Sequence, residues 1–127
     1  NFSIAKQYEK NKIFEKALNT YQSTAEQHNL PDPIRKYCLL AIAKIYKRQS
    51  KFDQAIDYWK HELLQENYEA NIELAKVYEH KIKNIDTALK YCKKALFILE
   101  KDIKSIKSKT LIDECIHRIN RLEQKAK

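Results

Sequence analysis

Apolar side chains recur along this chain every three or four residues, a spacing that predicts amphipathic helices rather than strands. Seven separate apolar stripes are present. The third stripe carries apolar residues around most of its surface, which is typical of a central helix. The helices are predicted near residues 2–12, 13–28, 34–48, 50–63, 68–81, 84–100 and 110–126. The pattern therefore predicts an all-α fold.

One short phrase, alanine–lysine–any residue–tyrosine, occurs three times and ends at Tyr8, Tyr46 and Tyr78. A second alanine follows each tyrosine after 9, 9 and 10 residues, at Ala17, Ala55 and Ala88. Successive tyrosines are 38 and 32 residues apart. Repeats of this length are typical of stacked helical hairpins, because one hairpin cannot bury its apolar face alone. The longer third interval predicts that the turn of the third hairpin differs from the other two.

The predicted hairpins and a closing helix occupy about residues 1–30, 33–66, 67–100 and 109–126. Asp32 is predicted to cap the third helix and Pro33 to fill its first position, where a missing N–H costs nothing. Thr110 and Asp113 form a predicted capping pair at the start of the last helix. That helix is apolar on one face and charged on the other, as expected of a terminal element that covers the last repeat.

The repeated positions resemble the tetratricopeptide repeat family. The resemblance rests on the alanine three residues before each tyrosine, on the second alanine, and on the aromatic residue four positions later at Tyr21 and Trp59. It covers about residues 1–100, although alanine stands where the family commonly has glycine. It implies a single domain that forms a right-handed superhelix of three hairpins plus a C-terminal capping helix. It also implies a non-catalytic protein-interaction or scaffold module, in which the first helix of each hairpin lines a concave groove.

The third copy is also similar to the last repeat of bacterial proteins that join an RNase H-like exonuclease domain to a C-terminal helical-repeat region. This similarity rests on Leu74–His80, on Ala88–Tyr91 and on Arg118 and Arg121 near the end of the chain. It implies that the chain is the accessory part of a longer bacterial protein. No residue matches the acidic metal-binding motifs of such a nuclease domain, so no catalytic role is carried over.

The composition argues against several functional classes. Glycine is absent, so the chain contains no glycine-rich loop for holding a phosphate. The three cysteines (Cys38, Cys92 and Cys115) are far apart and lie in apolar stripes, which favours small buried side chains over a disulfide or a metal site. The four histidines lack the spacing of a zinc site. We therefore expect no enzyme activity, no cofactor, no metal and a reducing, cytoplasmic location.

Two further features bear on the parent protein. Methionine is absent and the first residues already follow a helical pattern, so we expect a domain excised from a longer chain. No apolar stretch approaches the ~20 residues that a membrane-spanning helix needs. A membrane is therefore not expected as a partner.

The first helix of each predicted hairpin presents a contiguous set of side chains, because residues i, i+3 or i+4 and i+7 share one face. The resemblance places these sets in the groove. They are Phe2, Lys6, Glu9 and Lys10, then Tyr37, Leu40, Lys44 and Lys47, and finally Glu69, Ile72, Lys76 and Glu79. The lysines either cradle an acidic or extended peptide or simply keep this face soluble. Leu40 and Ile72 either contact the partner or pack on neighbouring helices.

Positive charge is concentrated toward the end of the chain. The net charge is +8, and residues 81–127 contain 13 Lys and Arg against 6 Asp and Glu, whereas residues 1–80 contain 12 against 11. The alternative function is accessory nucleic-acid binding, with phosphates contacted by Lys93, Lys94, Lys101 and Lys104. Arginine is scarce and the aromatic residues are expected in the core, which argues against this alternative. Lysine-rich helices are also common as solvated faces.

Overall fold

Helices and turns account for the part of the chain that the computed structural model describes, residues 2–101 and 106–127, and no strand occurs there. The prediction of an all-α fold is confirmed. The helices are α1 (Phe2–Lys10), α2 (Phe14–Ala25), α3 (Asp32–Arg48), α4 (Phe52–Trp59), α5 (Tyr68–Val77), α6 (Ile85–Glu100) and α7 (Ile106–Ala126). Contacts divide the chain into two compact units, Asn1–Leu63 and Leu64–Lys127. Among the described residues, no helix combines the length and the apolar character that crossing a membrane requires.

Two predicted helix starts are wrong. Pro31 has extended backbone angles (φ −59°, ψ 143°) and its carbonyl accepts the first hydrogen bonds of α3, so Asp32 lies inside the first turn and does not cap it. The carboxylate of Asp32 remains favourably placed, since helix N-termini carry partial positive charge. At the other end of the chain, α7 begins at Ile106, so Thr110 lies within the helix and the predicted capping pair is not formed.

Asparagine side chains cap the N-termini of α5 and α6, the first two helices of the second unit. Asn67 Oδ1 accepts a hydrogen bond from the Ala70 N–H at 2.9 Å, and Asn84 Oδ1 accepts one from the Thr87 N–H at 3.1 Å. Each bond satisfies a backbone donor that has no partner within its own helix. These starts agree with the helices predicted from residues 68 and 84.

The first unit packs α1 on α2, α2 on α3 and α3 on α4. Small side chains at Ala5 and Ala17 are fully buried and allow close approach of the helix backbones. The Gln22 amide donates hydrogen bonds to the hydroxyl groups of Tyr46 and Tyr58, at 3.2 and 3.3 Å. The buried residues of this core are Ala5, Ala17, Leu18, Tyr21, Cys38, Ala41, Ile42 and Ile45.

The second unit packs α6 against α5 on one side and against α7 on the other. Its core contains Ile72, Ala75, Ala88, Cys92, Ala95, Leu99, Cys115, Ile119 and Leu122. The Cys92 thiol donates to the Cys115 carbonyl at 3.8 Å, and contact with the Cys115 thiol together with burial raises the pKa of Cys92. All three cysteines are buried and free, as the sequence predicts.

The three repeated tyrosines mark the turns between paired helices. The Tyr8 carbonyl accepts a hydrogen bond from the Ile13 N–H at 2.8 Å, and the Tyr46 carbonyl accepts one from the Lys51 N–H at 2.9 Å. In both turns the residue before the donor has left-handed backbone angles, at Lys12 (φ 60°) and Ser50 (φ 59°). A hydrogen bond from the sixth residue to the first, with a left-handed fifth residue, defines the Schellman motif. This motif satisfies the last carbonyls of a helix.

The third turn contains one additional residue, as predicted from the longer interval in the sequence. The Tyr78 carbonyl accepts from the Asn84 N–H at 2.8 Å, and Lys83 (φ 66°) takes the left-handed position. The chain accommodates the extra residue by widening the end of α5 into a π turn at Tyr78–Ile82. Insertion of one residue into a helix commonly produces such a turn.

Replacing Ser50 with glycine is expected to stabilise the protein by about 0.5–1 kcal/mol, because glycine lacks the Cβ that makes left-handed angles costly. Urea unfolding measures the change. Ser23→Gly is the matched control, since Ser23 is exposed and helical in the last turn of α2, where glycine should instead destabilise by up to about 0.5 kcal/mol. An equal effect of the two substitutions would contradict the prediction.

Candidate functional site: a basic pocket in the first unit

A surface pocket of about 480 Å³ lies in the first unit. Helix α1 places Lys6 and Lys10 one turn apart on one face, and the left-handed residue Lys12 follows directly in the turn. Helix α3 supplies Tyr37, Lys44 and Arg48, which share one face of the helix because they are seven and four positions apart. The complete lining is Lys6, Gln7, Glu9, Lys10, Lys12, Tyr37, Lys44 and Arg48.

Two aromatic rings lie beside Lys6, and one of them, Tyr37, lines the pocket. The rings of Phe2 and Tyr37 meet edge to face with centroids 4.8 Å apart, and Tyr37 is 41% exposed. Lys6 Nζ lies 5.4 Å from the Phe2 ring centroid and 5.6 Å from that of Tyr37. An ammonium group at this distance from an aromatic face gains about 0.5–1 kcal/mol at an exposed site. The two rings therefore hold the Lys6 charge at the edge of the pocket.

Arg48 is positioned in a similar way at the other end of the lining. Its guanidinium carbon lies 5.4 Å from the centroid of the Phe14 ring, the first residue of α2. A planar guanidinium can stack on an aromatic ring and still direct its N–H groups toward a carboxylate. The packing of α1, α2 and α3 therefore orients both Lys6 and Arg48 with aromatic side chains.

Glu9 is the only acidic residue among the described residues that line the pocket, and its carboxylate already has a partner. The buried Tyr21 hydroxyl donates a hydrogen bond to Glu9 Oε1 at 2.7 Å. Burial, followed by the neighbouring Glu9 carboxylate, raises the pKa of Tyr21 far above its usual value. The Tyr21 hydroxyl therefore stays protonated and continues to donate its hydrogen bond to the Glu9 carboxylate.

The charges around the pocket are strongly unbalanced. Five cationic side chains and one carboxylate line it. Among the described residues, no carboxylate forms an ion pair with Lys10, Lys12 or Lys44. Cations that surround a concave surface without counter-charges produce a positive potential there, because the field is focused by the low-dielectric walls. This arrangement is suited to binding an anionic group.

The structure brings together five of the predicted groove residues, namely Lys6, Glu9, Lys10, Tyr37 and Lys44. Leu40 and Lys47, also on α3, are half-buried and do not line the pocket. Sequence reasoning missed Gln7, Lys12 and Arg48. Arg48 is four residues after Lys44, so the helical spacing that selected Lys44 would also have selected it.

The predicted groove residues of the third hairpin have different environments. Ile72 is only 8% exposed and belongs to the core of the second unit, so of its two predicted alternatives the structure shows packing on neighbouring helices and not contact with a partner. Lys76 is partly exposed, with its ammonium 3.9 Å from the Glu73 carboxylate one turn earlier. Glu79, which the helical spacing places on the same solvent-facing stripe, is instead buried.

Glu79 is the acceptor in a cluster of cations within the second unit. Both terminal nitrogens of Arg121 donate to its carboxylate, with the Nη2 bond at 2.9 Å, and Lys125 Nζ donates at 2.7 Å. Arg118 Nη1 lies 3.9 Å away and His80 Nε2 lies 3.4 Å away. The hydrogen bonds from Arg121 and Lys125 lower the pKa of Glu79 to about 2, although burial acts in the opposite direction. The cluster joins the π turn to α7 and is structural.

The predicted nucleic-acid lysines lie on α6 and just after it. Lys93 and Lys101 are exposed, and Lys94 is half-buried with its ammonium 3.0 Å from Gln65 Oε1. Lys104 lies outside the described residues. Within the described ranges, no group of three or more His, Cys, Asp or Glu side chains is arranged to hold a metal ion.

No protein-family model and no curated protein matches the chain.

Proposed function

We propose that this chain is a tetratricopeptide-like module that binds an acidic peptide segment of a partner protein and has no catalytic activity of its own. The observation that carries the proposal is the gathering of five cationic side chains around one pocket whose single carboxylate is engaged by Tyr21. A peptide rich in Asp and Glu is the protein partner that complements this charge.

The proposed architecture is a right-handed superhelix of three hairpins, α1–α2, α3–α4 and α5–α6, with α7 as the capping helix of a single domain. Three observations support it. The repeated alanines Ala17, Ala55 and Ala88 are all fully buried, as close helix packing requires. Equivalent carbonyls close each of the three turns, and equivalent residues adopt left-handed angles. The pocket is lined by α1 and α3, which are the first helices of two successive hairpins.

The composition of the pocket wall favours a peptide over a small anion. Exposed Tyr37 and half-buried Phe2 offer apolar surface beside the cations, so a side chain next to an acidic residue has a ring to contact. The guanidinium of Arg48 can hold a carboxylate in a two-point contact, while each lysine acts as a point charge. Alternating acidic and apolar residues in an extended peptide would use both parts of the wall.

Simultaneous replacement of Lys6, Lys10 and Lys44 with serine is expected to weaken binding of a fluorescein-labelled peptide of alternating glutamate and leucine by about tenfold or more. The triple variant removes three of the five cations, and loss of ~1.4 kcal/mol corresponds to a tenfold change in Kd. Fluorescence anisotropy at low and at physiological salt measures the change. Exposed lysines contribute little to stability, so the thermal midpoint should remain within a few degrees.

A second triple variant separates the effect of the pocket on peptide binding from the effect of the overall net charge. Lys16, Lys51 and Lys60 are exposed, belong to the same unit and do not line the pocket, so replacing them with serine removes the same net charge. We expect this control to bind the peptide within about threefold of the wild type. Equal loss of binding in both triple variants would show that net charge, and not the pocket, attracts the peptide.

A further inference from the structure

Phe97 is the most exposed large hydrophobic side chain in the described part of the chain, at 58%. Helix α6 buries Ala88, Cys92, Ala95 and Leu99 in the core, and Phe97 lies on the opposite face. A single exposed apolar residue is normal on a protein surface and requires no explanation by itself. The surroundings of Phe97 are what distinguish it.

Lysines surround this ring along the axis of α6. Helical spacing places Lys90, Lys93, Lys94 and Lys101 at positions −7, −4, −3 and +4 relative to Phe97, which is one continuous face. Lys101 Nζ lies 4.5 Å from the centroid of the Phe97 ring. From Lys90 to Lys101 the face extends about 16 Å, given a rise of ~1.5 Å per residue.

Two carboxylates form long, exposed ion pairs with the lysines of this face, and Glu100, three residues after Phe97, is exposed beside it. Lys93 Nζ lies 3.9 Å from Glu123, and Lys101 Nζ lies 3.8 Å from Glu66. The side chains of both acids are at least 48% exposed, so these pairs are readily exchanged for a stronger anion. The lysines can therefore turn toward an incoming ligand without leaving a buried charge unpaired.

We infer that the Phe97 face, defined as Phe97 with Lys90, Lys93, Lys94 and Lys101, binds single-stranded nucleic acid. A base stacks on the Phe97 ring, and the flanking lysines contact the phosphates on either side. This surface belongs to the second unit and is distinct from the peptide pocket of the proposed function.

Two features favour a single strand over other polyanions. The neighbours of Phe97 on this face are charged, so the site offers one ring among cations and not the wider apolar patch that a protein interface core has. Stacking on an aromatic side chain requires an exposed base face, which a single strand offers and a paired duplex hides. From the sequence the aromatic residues are expected in the core, and Phe97 is an exception because it lies opposite the buried residues of α6.

The test uses the whole 127-residue chain and a fluorescein-labelled oligothymidine strand, titrated by anisotropy at several salt concentrations. Phe97→Leu keeps a large apolar side chain but removes the ring. We expect it to weaken binding about tenfold, since base–aromatic stacking contributes ~1–3 kcal/mol, and to leave the salt dependence unchanged. Phe97→Trp, which restores stacking, should bind at least as well as the wild type.

Lysine substitutions give an independent measurement on the same face. Replacing Lys93 and Lys101 with serine should weaken binding and reduce the slope of log Kd against log salt by about 1.4, because each single-strand phosphate contact contributes ~0.7 to the slope. Ile116→Leu is the matched control for Phe97→Leu, since Ile116 is also exposed at 43% but lies on α7. It should bind like the wild type.

Three outcomes would overturn the inference. The wild type could fail to bind the strand even at low salt, or Phe97→Leu could bind as tightly as the wild type. In the third outcome, the protein would bind vesicles containing phosphatidylserine, and this binding would depend on Phe97, whereas binding of the strand would not. That result would identify the face as a membrane-surface contact. Because Phe97 is exposed, all variants are expected to fold, and an unchanged thermal midpoint checks this.

Discussion

Glu79→Gln is expected to destabilise the protein by about 3 kcal/mol near neutral pH, since removing one partner of a buried ion pair costs ~3–5 kcal/mol and the amide keeps part of the hydrogen bonding. The side chain of Glu79 has no exposed surface, and its carboxylate accepts from Arg121 and Lys125. Without that negative charge, Arg118, Arg121 and Lys125 remain close together and repel one another. Urea unfolding followed by circular dichroism measures the loss.

The same substitution has a defined pH signature. Because the folded pKa of Glu79 is about 2, below its usual value of 4.5, its stabilising contribution is present above pH 4.5 and declines as the pH falls from 4.5 toward 2. The difference in unfolding free energy between the wild type and Glu79→Gln should therefore be largest near neutral pH and shrink toward pH ~2. A difference that stays constant down to that pH would show that packing, and not charge, causes the loss.

Glu73→Gln is the matched control for this experiment. Glu73 lies in the preceding helix with its carboxylate 3.9 Å from the Lys76 ammonium, and its side chain is partly exposed, unlike that of Glu79. We expect it to cost no more than about 0.5 kcal/mol, with little dependence on pH in the same range.

Removal of α7, by ending the chain at Lys101, is expected to have the largest effect on stability. The helix supplies Cys115, Ile119 and Leu122 to the core of the second unit and both of the cations that hold Glu79 most closely. Its loss would expose the apolar face of α6 to water and leave a buried carboxylate without partners. We expect partial unfolding or aggregation, detected by size-exclusion chromatography and by binding of an apolar fluorescent dye.

Two point variants test the same helix without truncation. Leu122 is fully buried, so Leu122→Ala should cost about 2–5 kcal/mol through lost burial and the cavity left behind. Ile116 is exposed on the same helix, so Ile116→Ala should change stability by no more than about 0.5 kcal/mol. If the truncated chain stays monomeric with an unchanged thermal midpoint, α7 does not complete this core.

The candidate pocket could be predicted only in part. Helical spacing selected Lys6, Lys10 and Lys44 correctly as neighbours on their own helices, because residues four apart share a face. The same rule placed Ile72 and Glu79 on a solvent-facing stripe, where it failed. A helix that contacts neighbours on two sides has little free surface, and periodicity within one helix does not reveal how many neighbours it has.

The sequence by itself determined the local structure: the all-α class, the starts of α5 and α6, the three tyrosine-marked turns and the altered third turn. These depend on residues within one or two helical turns of each other, so their spacing along the chain is sufficient. Only the tertiary structure decided which charges meet. Glu79 lies 42 residues from Arg121, and Tyr21 lies 12 residues from Glu9 across a turn. Such pairs follow from the packing of whole helices, which places side chains together to within an ångström, whereas an apolar stripe indicates only which face is buried.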